Sequence, residues 1–102
     1  MMDFQIVNNK GVYEIHGDFT TTNTNEAALY FSNLLDKYYE IVICLKKVRK
    51  FDDSALKVMQ FLTNKATRRS KTLFVLGKNN KRITSLFNKT SLKGIFRNDY
   101  DC

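Results

Sequence analysis

The first part of the chain carries two short runs in which apolar and polar residues alternate. The runs cover residues 4–7 and 12–15, and the polar segment 8–11, which ends in Gly11, lies between them. Alternation with a period of two residues is typical of a strand with one buried face, and glycine tolerates the positive φ that tight turns need. The sequence therefore predicts a β-hairpin at the start of the chain.

Apolar residues at a spacing of three and four follow the polar segment 20–25. They predict a first helix with an aromatic-rich apolar face made of Ala27, Tyr30, Phe31, Leu34, Leu35 and Tyr38. Asn23 and Glu26, three residues apart, have the pattern of a capping box, in which two side chains satisfy backbone N–H groups of the first turn. We therefore expect this helix to begin near Asn23.

Two continuous apolar runs, residues 41–45 and 73–77, predict strands that are covered on both faces. A second helix is predicted between them, from about Ser54 to residues 68–69. Its apolar spacing predicts a buried face made of Ala55, Val58, Met59, Leu62 and Ala66.

A third helix is predicted after the second apolar run. Asn79 and Asn80 are expected to cap it, and its apolar residues are Ile83, Leu86 and Phe87. With an optional last strand at residues 95–96, the order is β-β-α-β-α-β-α(-β). Strands that alternate with helices favour right-handed crossovers and a mostly parallel sheet. We therefore expect one α/β domain over residues 1–102, with a mixed sheet of four to five strands and helices packed on it.

The chain has a formal net charge of +7, and most of the basic residues lie from residue 46 onwards. The basic residues concerned are Lys46, Lys47, Arg49, Lys50, Lys65, Arg68, Arg69, Lys71, Lys78, Lys81 and Arg82. Such an excess favours acidic partners, including nucleic acid. These residues lie at predicted loop edges and on polar helix faces, without a nucleic-acid-binding motif. We therefore interpret them as solvated, and keep a basic nucleic-acid-binding protein only as an alternative function.

Several classes of function lack their usual sequence signals. No stretch approaches the roughly 18 apolar residues of a membrane span, and no signal-peptide pattern opens the chain, so we expect a cytoplasmic protein. His16 is the one histidine, which excludes a multi-histidine metal site. There is no glycine-rich phosphate loop and no nucleophile–base pair. We therefore expect no catalytic residues, no metal and no cofactor.

One predicted turn contains side chains that are suited to helix capping or to phosphorylation. Asp52, Asp53 and Ser54 follow one another where the central strand leads into the second helix. Aspartate and serine are preferred N-cap residues, and negative charge at a helix start is favoured by roughly 0.3 to 1 kcal/mol. The same environment accepts a phosphate, so Ser54 is also a candidate for regulation by phosphorylation.

The chain resembles the STAS domains, the family of bacterial anti-sigma factor antagonists. Residues 12–19 are similar to the second strand of the family, which ends in Gly followed by an acidic residue. The other similar segments are the central strand 41–45 and the late helix 83–87, with Thr90 and Leu92 after it. The resemblance implies a STAS-like fold. Family members commonly end in a further C-terminal helix, and we expect that helix to be missing here. We therefore expect an uncovered region of the sheet, with self-association or a partner as the result.

In that family the corresponding turn reads Asp-Ser, a small residue and Gly-Leu, and the serine accepts phosphate. A gapless match places Asp52 at the aspartate and Asp53 at the acceptor serine. The alternative match, Asp53 and Ser54, deletes one residue and would rotate the apolar face of the helix by about 100°. We prefer the first, in which Asp53 is a fixed negative charge, and keep Ser54 as the competing acceptor.

The resemblance implies a regulatory protein rather than an enzyme. Its partner would be an anti-sigma factor of the serine-kinase type, bound through Asp52, Asp53, Ser54 and Lys57. A second implied function is that of an accessory subunit of a membrane ABC transporter.

Overall fold

The computed structural model describes residues 4–77 and 79–90. The strands are β1 (Phe4–Asn9), β2 (Val12–Phe19), β3 (Glu40–Cys44), β4 (Val48–Phe51) and β5 (Thr72–Leu76). The helices are α1 (Thr24–Lys37), α2 (Asp53–Arg68) and α3 (Lys81–Phe87). The strand predicted at residues 95–96, and the end of the chain for which a missing helix was inferred, lie outside the described residues. None of these three helices has both the length and the apolar character needed to cross a membrane.

The opening hairpin is confirmed. Strands β1 and β2 pair antiparallel from Phe4 opposite Gly17 to Asn9 opposite Val12. The two residues between the strands, Lys10 and Gly11, both have positive φ, at 54° and 91°. This is the backbone conformation that joins two strands through a two-residue turn with the correct twist.

The sheet is mixed, as predicted, and five strands of the described residues form it. Its order is β1-β2-β3-β5, and β4 also pairs with β2. Apart from the antiparallel hairpin, every pairing between the described strands is parallel. Strand β2 is long enough to hold β3 along its first half and β4 along its second half. The mixed α/β architecture inferred from the sequence is therefore correct.

Strand β4 is an addition to the prediction, which treated residues 46–51 as a connection. The chain leaves β3, makes a short turn in which the Val48 N–H donates to the Leu45 carbonyl (3.1 Å), and resumes beside β2. The Asn80 amide donates to the carbonyl oxygens of Leu45 and Val48, both at 3.0 Å. Asn80 precedes α3 as expected, but its side chain stabilises this turn instead of capping the helix.

The helices cover a hydrophobic core whose largest contribution comes from α2. All five residues predicted for its buried face are buried, and α1 contributes Ala27, Phe31 and Leu35. The buried apolar face of α1 is narrower than predicted, because Tyr30 and Tyr38 are 38% and 51% exposed. The capping box is wrong: Asn23 is the N-cap residue, but its amide donates to the Asp18 carbonyl (2.7 Å) and makes no cap bond.

Helices α1 and α2 run side by side in the same direction. The buried Lys65 donates from Nζ to the carbonyl and hydroxyl oxygens of Ser32, at 3.0 and 2.6 Å, and lies 2.9 Å from Asp36 Oδ1. Arg69 lies 3.2 Å from the same oxygen of Asp36. The pairs Ser32–Lys65 and Asp36–Arg69 are each 33 residues apart in the chain. This constant offset shows that the two helices are parallel.

Candidate functional site

The site lies at the C-terminal ends of β2 and β4, where loop 20–23 meets the first turn of α2. The parallel pairing of these strands places Phe19 opposite Phe51. The residues that follow each strand therefore leave the sheet side by side. This arrangement brings Thr21 to the turn that contains Asp52, although the two are 31 residues apart in the chain.

Asp52 is the N-cap residue of α2 and also binds the neighbouring loop. Its Oδ1 accepts a hydrogen bond from the Ala55 N–H at 3.0 Å. Its Oδ2 accepts from the N–H of Thr21 at 2.9 Å and from the Thr21 hydroxyl at 3.0 Å. One carboxylate thus caps the helix and fixes the loop to it.

The charge of Asp52 follows from these bonds. Burial alone would raise its pKa, because a carboxylate loses hydration in the protein. The hydrogen bonds from the Ala55 and Thr21 N–H groups, the Thr21 hydroxyl and the Ser54 N–H outweigh that effect and hold the pKa below its usual value. Asp52 is therefore ionised at neutral pH. With both oxygens engaged, it is poorly placed to act as a catalytic base.

Ser54 joins the same network, whereas Asp53 and Lys57 lie on the surface. The Ser54 hydroxyl is 2.9 Å from Thr21 Oγ1, and Ser54 is partly buried. Asp53 is the first residue of α2 and is exposed, as is Lys57 one turn later. The structure thus brings Asp52 and Ser54 together through Thr21, a residue that the sequence analysis did not select.

Two exposed apolar side chains on α1 and α2 were also missed. Phe61 is 44% exposed on α2 and Leu29 is 65% exposed on α1. Ser54, Lys57 and Phe61 follow each other at intervals of three and four residues, so they share one side of α2. The offset of 33 residues between the helices places Leu29 at the level of Leu62, the residue that follows Phe61 in the chain. Phe61 is an apolar residue of α2 that does not belong to the predicted buried face of the helix. The sequence could have identified it as an exposed aromatic side chain for this reason.

A second polar cluster lies on β2, away from the turn. Buried Glu14 accepts from the Asn9 amide (3.1 Å) and is 2.8 Å from His16 Nε2. The bond with His16 is the main reason why the pKa of Glu14 lies below its usual value, since it outweighs the effect of burial. Over residues 4–77 and 79–90, no three His, Cys, Asp or Glu residues form a group suited to a metal ion.

The sequence matches the family model described as STAS domain over residues 1–101. No curated protein is significantly similar to it in sequence.

Solved structures with the same fold include the anti-sigma factor antagonist SpoIIAA in its unphosphorylated form, with a TM-score of 0.76 and 11% identity over 95% of this chain and 88% of that one. The phosphorylated form of SpoIIAA from Bacillus has a TM-score of 0.71, with 11% identity over 95% of this chain and 91% of that chain. A sulfate transporter family protein from Wolinella succinogenes has a TM-score of 0.60 and 20% identity over 84% of this chain and 71% of that chain. At these identities the similarity establishes the fold.

Proposed function

This chain belongs to the STAS domain family, and from that membership we propose that it is a non-catalytic regulatory module that binds another protein. In this proposal it acts as an anti-sigma factor antagonist and docks on an anti-sigma factor of the serine-kinase type. Fold alone does not fix function, so the proposal depends on the surface around the start of α2.

The observation that carries the proposal is the exposed carboxylate of Asp53. It is the first residue of α2, where the helix dipole favours negative charge. In the preferred match to the family, this is the position of the phosphate acceptor. Asp53 then supplies one permanent charge where a phosphoserine would supply nearly two. We infer that regulation through this position is altered, and that phosphate found on Ser54 would contradict this inference.

The proposed docking surface consists of Asp53, Ser54, Lys57 and Phe61 on α2, with Leu29 on α1. It combines exposed charges with an exposed aromatic ring, and aromatic residues are common among those that dominate binding energy at interfaces. Asp52 contributes indirectly, because it holds Thr21 and the start of α2 in place. The charged residues would determine which partner docks and how fast.

The decisive experiment is a binding titration with a kinase-type anti-sigma protein from the same genome. Isothermal titration calorimetry would compare the wild type with Asp53→Lys, Lys57→Glu and Phe61→Ser. We expect each variant to bind at least about tenfold more weakly, equivalent to about 1.4 kcal/mol. Exposed Lys37 and Glu40 lie away from the docking surface, so Lys37→Ala and Glu40→Gln are matched controls. No binding by the wild type to any such protein would refute the proposal.

A second candidate is an accessory subunit of a membrane transporter, and the resemblance described above implies one of the ABC type. The structural similarity to a sulfate transporter family protein is the observation that favours it. Copurification with a transporter ATPase or permease, and not with a kinase-type protein, would decide for this alternative. The cytoplasmic location and self-association stay predictions.

A further inference from the structure

The described part of the sheet has two apolar faces, and helices α1, α2 and α3 cover one of them. Ile41 and Ile43 of β3 belong to the main core, together with the buried apolar residues of these three helices. Val42 and Cys44, which alternate with them along the strand, form a separate cluster with Leu76. Because successive side chains of a strand point to opposite faces, this cluster lies on the face turned away from the helices.

This second face is nevertheless shielded from solvent. Cys44 and Leu76 are 1% and 0% exposed, and Val42 is 9% exposed. Val12 and Phe74 pack against these three residues and are partly buried themselves. We call the five residues the second-face cluster. Among the residues that the structure describes, no helical residue belongs to it, so its cover has to come from elsewhere in the chain.

Cys44 indicates which part of the chain supplies the cover. Its sulfur accepts a hydrogen bond from the Lys46 N–H at 3.4 Å, and Cys44 is disulfide-bonded. The sequence contains two cysteines, of which the other is Cys102. Since the Cα atoms of a disulfide lie about 4.4–6.8 Å apart, a bond from Cys44 brings its partner cysteine directly to the second face.

We propose that Cys44 and Cys102 form a reversible disulfide, which fastens segment 91–102 over the second-face cluster. The segment follows Thr90, and its twelve residues span at most about 40 Å. The four strands in the order β1-β2-β3-β5 are together about 15 Å wide. The segment is therefore long enough to reach Cys44. This inference does not rest on the proposed function.

The composition of the segment suits an apolar surface. It contains four large apolar side chains, those of Leu92, Ile95, Phe96 and Tyr100. Burial of such side chains is favourable in proportion to the apolar area that is removed from water. A covalent link also keeps the segment at a high effective concentration beside the cluster, so modest contacts are enough to hold it there.

Closure of the bond is an oxidation, for which a low-molecular-weight disulfide such as oxidised glutathione is a sufficient oxidant. The thiols of Cys44 and Cys102 together lose two protons and two electrons, and one S–S bond forms between them. The S–S bond of the reagent breaks, and the reagent takes up the protons and electrons as two thiols. A reducing dithiol reverses the reaction by the same exchange.

A link of this kind is suited to regulation. Disulfides are rare in the cytoplasm, where we expect this protein, and those that form there are usually transient and redox-sensing. Once the bond is reduced, nothing covalent holds segment 91–102, and the second-face cluster becomes accessible. Contiguous exposed apolar surface commonly serves as an interaction site. Reduction would thus open a surface on the side of the sheet opposite to α1 and α2, and oxidation would close it.

The first test is to locate the bond in the full chain. The wild type, Cys44→Ser, Cys102→Ser and Asp101→Ser would be incubated with oxidised glutathione or with dithiothreitol, and examined by intact mass and non-reducing peptide mapping. Asp101→Ser is the matched control, because it changes the neighbour of Cys102 and keeps both cysteines. We expect the oxidised wild type and Asp101→Ser to lose two hydrogen atoms and to yield one peptide pair that links Cys44 to Cys102.

The second test measures the cover. The oxidised wild type should melt at least about 8 °C above the reduced protein, because a disulfide that closes a long loop restricts the unfolded chain. The reduced wild type and Cys102→Ser should bind the apolar dye ANS at least about twofold more strongly than the oxidised wild type. Cys102→Ser should not respond to the oxidant. This variant keeps the buried Cys44, so it decides the matter even if Cys44→Ser folds poorly.

The third test follows the bond in the organism that encodes the chain. Thiols trapped by alkylation should be reduced in growing cells and joined as the disulfide after treatment with a thiol oxidant. Disulfides that form only between two copies of the chain, thiols that stay free after oxidation, an unchanged melting temperature and dye binding, or equal disulfide content in both cell samples would each overturn the proposal. Calorimetric binding to a kinase-type protein tests the proposed function separately.

Discussion

Thr21 donates two hydrogen bonds to the same carboxylate oxygen of Asp52, one from its backbone at 2.9 Å and one from its hydroxyl at 3.0 Å. The other oxygen of Asp52 caps α2. A single side chain thus connects loop 20–23, the end of β4 and the start of the longest helix among the described residues. The consequences for stability can be measured separately from partner binding.

Replacement of Asp52 with alanine removes the cap and the bonds to Thr21. We expect the free energy of unfolding to fall by about 1–2 kcal/mol, the upper part of the usual range for loss of an N-cap side chain, because the bonds to Thr21 are lost as well. Asp53→Ala is the matched control, since this neighbour is exposed and loses only a favourable dipole interaction of about 0.5 kcal/mol. Urea unfolding followed by circular dichroism would measure both. Equal losses for the two variants would contradict the assignment of Asp52 as the cap.

Acid should destabilise the domain partly through Glu14. Its pKa is lowered in the folded protein, so the ionised form stabilises the fold above the unfolded pKa of about 4.3. This contribution is lost as the pH falls through the lower, folded pKa. We expect Glu14→Gln to be less stable than the wild type at pH 7 and to lose less stability below pH of about 4. Thermal unfolding across this pH range checks the prediction, and parallel curves for the two proteins would contradict it.

Lys65 should contribute to stability more than the other basic residues of α2. It is buried and bonded to two oxygens of Ser32 and to Asp36. Loss of hydrogen bonds to a charged group costs about 1.5–3 kcal/mol, so Lys65→Ala should destabilise by that amount. The exposed Arg69, which contacts the same Asp36, provides the control, and Arg69→Ala should cost less than about 1 kcal/mol. Denaturant titration distinguishes the two.

Two glycines with positive φ form a matched pair. Gly11 has a φ of 91° with open space around the position of a Cβ atom, whereas Gly77 has a φ of 107°. A Cβ on Gly77 would lie 2.8 Å from the backbone nitrogen of Lys46. We expect Gly11→Ala to cost about 1–2 kcal/mol through its backbone conformation and Gly77→Ala to cost clearly more. Similar melting temperatures for both variants would argue against the close contact.

Periodicity predicted those parts of the fold in which a buried face decides the structure. The five buried apolar residues of α2 recur with helical spacing, and the hairpin turn needed Gly11. Strand β4 was missed because it has four residues, of which Arg49 and Lys50 are polar and exposed. It forms because β2 extends beyond β3 and offers unpaired backbone groups there.

Side-chain partners were harder to predict than elements. Asn23 and Asn80 stand at helix starts, where their type favours capping, but backbone carbonyls from other elements bind both amides. Thr21 was not selected, because its partners Asp52 and Ser54 come into reach only when β2 and β4 pair. Such contacts depend on how separate elements meet in three dimensions, and local sequence carries no signal for them.

The parallel helix pair has a mechanical consequence. Ser54 contacts Thr21 near the start of α2, and Arg69 contacts Asp36 at its end. The two contacts are separated by roughly 22 Å along the helix axis. Lys65 adds a buried attachment in between. Loss of the bonds between Thr21 and α2, as in Asp52→Ala, would therefore free loop 20–23, while the contacts of Lys65 and Arg69 would still hold α2 against α1. The expected difference lies in the mobility of the loop rather than in the average positions of the helices. Amide hydrogen exchange detects such a difference, whereas a comparison of average coordinates does not.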